Sequence, residues 1–474
     1  MCESATLSVQ STPMWKALIV LILLGVGAAA AWVTAGNSEG PVIQITGPAT
    51  IGQTGKIEVA VSTPRAALTR LDVSLAQGGE STPVFTLTPD TASSLQTQGD
   101  RVTLERPAGK RSIPALKQGA AEISVTAVRP VLFGFREAAS TVTRAIEVNL
   151  NPPQVAVLSA FHYINHGGSE MVVYRVTPPD AESGVRVGDY EYRGFPASGA
   201  GIESGDAGMR VAFFALLWDQ DLNAPIRVYA RDSIGNEGTG TFDYRTFPKS
   251  FRASRIDLDD RFLAKVVPPI LQNSTELKVD DPTDLLASYL KINRELRRTN
   301  NETISALARD TSPQMLWHGP FKQLSNTAVE AGFADQRTYV YKGQDVDKQV
   351  HLGFDLASTA GASVRAANSG RVVHAGWLGI YGNCVIVDHG MGLQSLYAHL
   401  SSIGVKVGDM VELDSELGRS GSTGLAGGDH LHFTMLLSGN AVTPIDWWSA
   451  QWVQDRILRK LTDAGARPAA VGAR

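Results

Sequence analysis

The run from Ala17 to Ala35, ALIVLILLGVGAAAAWVTA, carries no charge and is long enough to cross a hydrocarbon core of about 30 Å as one helix. A helix apolar on every side has no face to offer to water, so 17–35 reads as a membrane anchor. The rival reading is a cleaved signal peptide, whose apolar core is only about 7 to 15 residues long. Ala28 to Ala31 or Val33 to Ala35 would then supply the small-residue cleavage site. Lys16 is the only basic residue before the span, and Glu3 is the only other charge there. Basic residues stay on the cytoplasmic side, so 1–16 reads as a short cytoplasmic leader and the rest of the chain as exported.

With 474 residues, the chain is too long for one ordinary domain and calls for about three. Its 43% hydrophobic and 19% charged residues describe folded material. The net charge of -4 lacks the basic footprint of a nucleic-acid binder, so no nucleic acid is expected as a partner. Cys2 and Cys384 fall on opposite sides of the membrane in this topology and cannot form a disulfide. Cys2 has no apolar signal region ahead of it, which argues against a lipoprotein. Cys384 lies in a strand-like run and is expected to be a buried small hydrophobe.

After the span, VIQIT, KIEVAVS, LDVSL, AEISVTAV and RAIEVNL are separated by Gly, Pro and Ser clusters. This is strand and turn spacing for a β-sandwich over 40–150. Beyond Pro152-Pro153 the runs VAVLS, EMVVYRV, YEYRGF, MRVAFFALLW and IRVYARD predict a second sandwich over 151–248. Its closing DSIGNEGTGTFDYR is similar to the last strands of bacterial Ig-like modules, which implies a spacer or binding arm. From 254 to 311 the texture becomes helical: Leu285, Tyr289, Ile292 and Leu296 recur at helical intervals. Asp281 before Pro282 reads as a helix start, and the segment as a helical hairpin packed on a neighbour.

Most of the nine histidines gather in the last domain, 312–450. In HLGFD, His351 and Asp355 share one face of a strand through the two-residue period, and helical i, i+4 spacing would serve equally. In HLHF, His430 and His432 share a face while Leu431 and Phe433 point the other way. Two imidazoles and a carboxylate suit zinc, with a fourth position left for water. Such an ion acidifies bound water and polarises a carbonyl, which is chemistry for hydrolysing an amide.

Taken together, HLGFDLAS, YGNCVIVDHG, SLYAHLS and GSTGLAGGDHLHF resemble the lysostaphin-like, or LytM-type, zinc metalloendopeptidases. The resemblance covers roughly the C-terminal quarter of the chain. It implies that His351, Asp355 and His432 bind Zn2+. It also implies that His399 and His430 assist catalysis by orienting water, taking up its proton and stabilising the oxyanion. It implies a compact antiparallel β-domain with a groove over the metal, and peptidoglycan peptide stems as substrate. One departure is Asp429, where many members carry proline. A second is the longer, charged stretch 333–349, which could form a rim.

The remaining histidines take plainer readings. His389 reads as part of a hairpin turn and His374 as a strand residue, while His162, His166 and His318 have no partner pattern. Tyr397 and Asn383 are open between lining the groove and packing. The glycines from Gly421 to Gly428 are expected to shape backbone beside HLHF, since no Walker lysine follows.

The expected architecture is mainly β and multidomain: a transmembrane helix, two Ig-like sandwiches, a helical segment, an antiparallel β peptidase domain, and a C-terminal helix and tail over 451–474. This predicts a single-pass inner-membrane protein with a periplasmic zinc endopeptidase that cuts peptidoglycan cross-links. The alternative is a non-catalytic LytM-like module that binds the wall or activates an amidase, a role in which relatives have usually lost ligands. A division-complex or amidase partner fits either reading.

Overall fold

The computed structural model describes residues 14–466. Leader residues 1–13, with Cys2, and tail residues 467–474 lie outside the described residues. The described residues divide into two compact units, one running to 152 and taking in 233–236, the other made of 153–232 and the residues from 237 onward.

In the first unit, helix α1 (Met14–Gly36) is long and apolar enough to cross a membrane, and its large apolar side chains are exposed along its length. Two antiparallel-dominated sheets follow. One orders Val42–Thr46, Lys56–Ser62, Arg101–Pro107 and Gln96–Gln98; the other orders Thr50–Ile51, Arg136–Val148, Gly119–Val131, Arg70–Gln77 and Glu80–Thr86. Alternation along KIEVAVS buries Ile57, Val59 and Val61 against Leu71, Val73, Leu75, Ile123 and Val125 of the second sheet. The two-residue period thus places one face of each sheet in a shared core.

The second unit opens with another pair of four-stranded sheets between 154 and 240, plus a parallel pairing of His162–Asn165 with Tyr244–Phe247. This module is joined to the C-terminal domain by a common apolar core. Trp317 and Trp447, both fully buried, meet edge to face, and Trp447 also packs on Phe213 of the module. The spacer expectation for this module therefore needs correction, because it shares its core with the domain that follows.

The helical segment expected from 254 begins as a strand. Ala253–Leu258 pairs in parallel with Asp335–Tyr341 and so extends the hairpin that Asp335–Tyr341 makes with Gln344–His351. Helix α2 (Asp260–Asn273) then starts where Asp259 accepts from Phe262 N. Helix α3 (Leu285–Lys291) is capped by Asp284, not at the expected Asp281, whose carboxylate is occupied in a turn with Thr283. A π-helical turn, Ile292–Leu296, carries α3 into helix α4 (Arg297–Leu307). Tyr289, Ile292 and Leu296 are buried against α2, Tyr339 and Ile380.

The main sheet of the C-terminal domain is antiparallel. It orders Ala328–Ala331, Phe354–Ala357, Leu431–Leu437, Leu393–Leu400, Asn383–Gly390, Gly370–Trp377 and Met410–Val411. The aromatic-rich C-terminus forms helices α5 (Pro444–Trp448), α6 (Ala450–Trp452) and α7 (Arg459–Asp463), with a π-helical stretch at Val453–Leu458. It packs on the second β-module as well as on the domain it follows. Lys460 forms a buried ion pair at 2.8 Å with Glu170 of that module, and Asp446 accepts from Asn165 Nδ2 at 3.1 Å.

Candidate metal centre

His351 and Asp355 do not share one strand. His351 ends Gln344–His351, the chain breaks at Leu352-Gly353, and Asp355 sits in Phe354–Ala357, where it pairs with His432 of Leu431–Leu437. The two-residue period holds only across HLHF, where Leu431 and Phe433 enter the core and His430 and His432 face the other side. The break is accommodated by Gly353. A Cβ there would lie 2.6 Å from the His432 ring and from Thr434 Oγ1.

Three donor atoms converge. His351 Nε2 lies 2.9 Å from Asp355 Oδ1 and 3.0 Å from His432 Nδ1, and His432 Nδ1 lies 3.0 Å from Asp355 Oδ1. The outer hydrogen bonds fix the tautomers. His351 Nδ1–H donates to Gly332 O at 2.9 Å, and His432 Nε2–H donates to Thr434 Oγ1 at 3.0 Å. Each inward atom of the neutral rings is thus left with a lone pair. Three acceptors turned on one another repel unless a cation sits among them. Tetrahedral zinc with bonds of about 2.0 to 2.1 Å would set its ligands about 3.3 Å apart, a few tenths of an ångström wider than the distances here, so the residues fit the ion.

Electrostatics agree with that donor set. Burial pushes the His432 imidazole down to about 4, against the pull of Asp355, which leaves it neutral at physiological pH. Burial would raise the Asp355 carboxyl, but the three imidazoles packed around it, His351, His430 and His432, hold it well below the usual range. Asp355 uses its second oxygen as well: Arg337 Nη2 donates to Oδ2 at 3.1 Å. Asp335, two residues before that arginine, accepts from Ser254 Oγ at 2.7 Å.

His399 and His430 stand beside the triad, with ring centroids 4.9 Å apart. His399 is held at φ +62, a left-handed conformation that costs a β-bonded residue about 1 to 3 kcal/mol. Its Nδ1–H donates to Thr423 O at 2.7 Å, which leaves Nε2 as an acceptor. Burial and the neighbouring imidazoles keep the ring neutral, far below its ordinary range. His430 Nδ1–H donates to Gly428 O at 3.0 Å, and its Nε2 is 3.5 Å from Asp355 Oδ1. Burial alone would lower His430, yet the bond and charge of Asp355 and the Gly428 carbonyl raise it. Gly421 to Gly428 thus shape backbone whose carbonyls orient both rings. Within that loop's reach, Gly382 at φ +62 passes so close to Thr423 that a Cβ would fall 2.4 Å from its carbonyl carbon.

The five predicted site residues line a cavity of about 250 Å³. Its other walls were not read from the sequence as site residues. Arg337 and Tyr339 come from the 333–349 hairpin, Phe262, Tyr289 and Arg297 from the helical segment, and Tyr381 and Leu425 from two loops. Lys265 Nζ ties α2 to Gly427 O at 2.8 Å. Only the charge of 333–349 pointed to a rim.

Other expectations change. His389 is not in a turn: it is a fully buried strand residue bonded to Ser369 O and Ser395 Oγ, each at 2.7 Å. Tyr397 and Asn383 pack away from the cavity, with Tyr397 OH accepting from Ala367 N and Asn383 Nδ2 donating to Leu400 O. Asp429 pins two loops by accepting from Ser420 Oγ at 2.6 Å and Gly361 N at 3.0 Å. Cys384 is buried, as its strand context implied.

Residues 349–444 match the model of Peptidase family M23. The chain is 38% identical over 97 residues to the DD-carboxypeptidase/endopeptidase Mpg of Neisseria meningitidis serogroup B, covering 20% of this chain and 22% of that protein. It is 38% identical over 95 residues to the murein hydrolase activator EnvC of Escherichia coli K12, covering 20% and 23%. The catalytic domain of the antimicrobial peptidase lysostaphin from Staphylococcus simulans aligns at 29% identity and TM-score 0.25, over 28% of this chain and 98% of that one. The chain spans less than a quarter of the length of these curated relatives. The C-terminal part of the chain, over residues 349–444, is a peptidase family M23 domain of the LytM type.

Proposed function

We propose that this domain is a zinc metalloendopeptidase that hydrolyses peptide cross-links of peptidoglycan, with His351, Asp355 and His432 as metal ligands. The observation that carries the reading is the convergence of three lone-pair donors within 3.0 Å of one another. Zinc held there supplies a Lewis acid that acidifies water and polarises the scissile carbonyl. His399 is suited to take a proton on Nε2, because its Nδ1–H is committed to Thr423 O. His430, turned by Gly428 O, is suited to donate from Nε2 to the oxygen on which charge develops. The peptide substrate is favoured by the name of the Neisseria relative. On this reading α1 is a single-pass inner-membrane anchor, the first β-module is an Ig-like arm, the second is packed on the peptidase domain, and the enzyme works in the periplasm.

The activator name of the Escherichia coli relative, at equal identity, favours a second reading: a module that binds the wall or switches on an amidase. Against it, all five site residues are in place around one cavity. The deciding experiment digests cross-linked peptidoglycan with the full chain, with and without a chelator, and reads fragments by mass spectrometry. New peptide ends that vanish with chelator and return with zinc support the enzyme. Intact wall with zinc demonstrably bound supports the activator.

A further inference from the structure

The cavity over the metal centre is walled largely by Ile256, Phe262, Tyr289, Tyr339, Ile380 and Tyr381, yet two guanidinium groups also belong to its lining. Their bonding differs. Arg337 is engaged by acids, through Nη2 to Asp355 Oδ2 at 3.1 Å and through Nε to Asp335 Oδ2 at 3.4 Å. Its Nη1 makes no hydrogen bond among the described residues. Arg297 opens α4, and one edge of its fork is held by neutral acceptors one turn earlier. Nε donates to Asn293 O at 3.1 Å and Nη2 to Asn293 Oδ1 at 2.6 Å.

No carboxylate pairs with Arg297 among the described residues. Asp347 is committed to Asn293 Nδ2 at 2.8 Å and to Arg294 Nε at 2.9 Å. Arg297 is nevertheless close enough to the hydroxyls of Tyr289 and Tyr381, both cavity walls, to oppose the upward push that burial gives them. A half-buried cation beside aromatic walls gains most from an acid supplied from outside. A guanidinium fixed along one edge presents the rest of its planar fork to a carboxylate. α4 lies outside the matched segment 349–444, so this feature comes from the chain's own helical segment.

We propose that Arg297, with Arg337 beside it, is a specificity-determining residue that recognises a free carboxylate of the peptide next to the amide presented to the metal centre. The proposal rests on the peptidase reading for the word "presented" alone, since the carboxylate would bind whether or not the amide is then cut.

The test uses the full chain loaded with zinc and a pair of short peptides that differ only in the carboxylate following the candidate scissile amide, free in one and amidated in the other. Calorimetry is expected to give about tenfold tighter binding of the free acid, the size of one charge-assisted hydrogen-bond pair. Arg297→Gln should bring that ratio close to one, while Arg297→Lys retains part of it and both variants keep the wild-type zinc content. A ratio unchanged in Arg297→Gln, or no preference in the wild-type protein, overturns the proposal. Hydrolysis of the same peptides is followed in parallel. An intact binding ratio without cleavage supports the carboxylate site and removes the peptidase reading instead.

Discussion

The Asp355 carboxylate is divided between two duties: Oδ1 faces His351 and His432 at 2.9 and 3.0 Å, while Oδ2 receives Arg337 Nη2 at 3.1 Å. The arginine thereby keeps Oδ1 turned inward and single-toothed toward an ion. Groups that orient a metal ligand in this way typically account for about 10- to 100-fold in affinity. Arg337→Ala is expected to weaken zinc binding by that factor, measured by competition with a chromogenic chelator. Equal affinity in wild type and variant would show that Arg337 does not position the carboxylate.

Asp355→Ala should abolish zinc binding and hydrolysis together, since it removes the only carboxylate of the triad. His399→Ala should keep zinc and lose roughly 10²- to 10⁴-fold in turnover, the usual range for a proton-transfer group. Metal analysis beside kinetics separates the two, and loss of zinc from His399→Ala would mean the roles are wrongly divided.

Gly353→Ala should cost the site its metal with little loss of fold. The new Cβ would meet the His432 ring at 2.6 Å and displace it from Asp355. Circular dichroism close to wild type with zinc content well below one per chain is the expected pair of results; full zinc content would refute it.

The strand runs of both β-modules were legible because alternation records burial directly, as Ile57, Val59 and Val61 illustrate. That His351, Asp355, His399, His430 and His432 belong around one cavity was legible because short motifs mark their chemistry. The path between them was not: HLGFD was read as one strand or one helix turn, whereas the chain breaks at Leu352-Gly353 and hands His351 and Asp355 to different sheets. Arg297 and Arg337 escaped notice because a lone arginine on a helix or hairpin has no pattern, and only tertiary packing brings it to the wall of the cavity. His389 in Asp-His-Gly has turn composition, yet burial and two hydrogen bonds outweigh that local preference. The contact of the C-terminal helices with the second β-module was not legible, since nothing local in WWSAQWVQDRILRKL names Glu170 as the partner of Lys460.

That ion pair supplies a stability prediction. Lys460 and Glu170 are 5% and 0% exposed, and Glu170 also accepts from Met171 N and Tyr163 N. Removing one member of a buried pair strands the other charge and typically costs about 3 to 5 kcal/mol. Lys460→Met should therefore lower the denaturant midpoint strongly, and adding Glu170→Gln should recover much of the loss. A single variant as stable as the wild type would mean that the pair contributes nothing at this contact.

Asp446 gives the pH dependence of the same contact. Burial raises its carboxyl from 3.8 to about 6, although Asn165 and the Ser169 amide favour the charged form. A carboxyl raised on folding stabilises the fold most below its unfolded value. That contribution is lost as pH rises through the folded value, here between about 4 and 6. The shift corresponds to roughly 3 kcal/mol of stability. Asp446→Asn cannot ionise and should lack this component. The difference in unfolding free energy between wild type and variant should therefore move against the wild type by a few kcal/mol from pH 4 to pH 7, and then level off. A difference that stays flat across that window would mean that Asp446 is ionised in the folded protein throughout. The contact between the second β-module and the peptidase domain would then tolerate a buried charge.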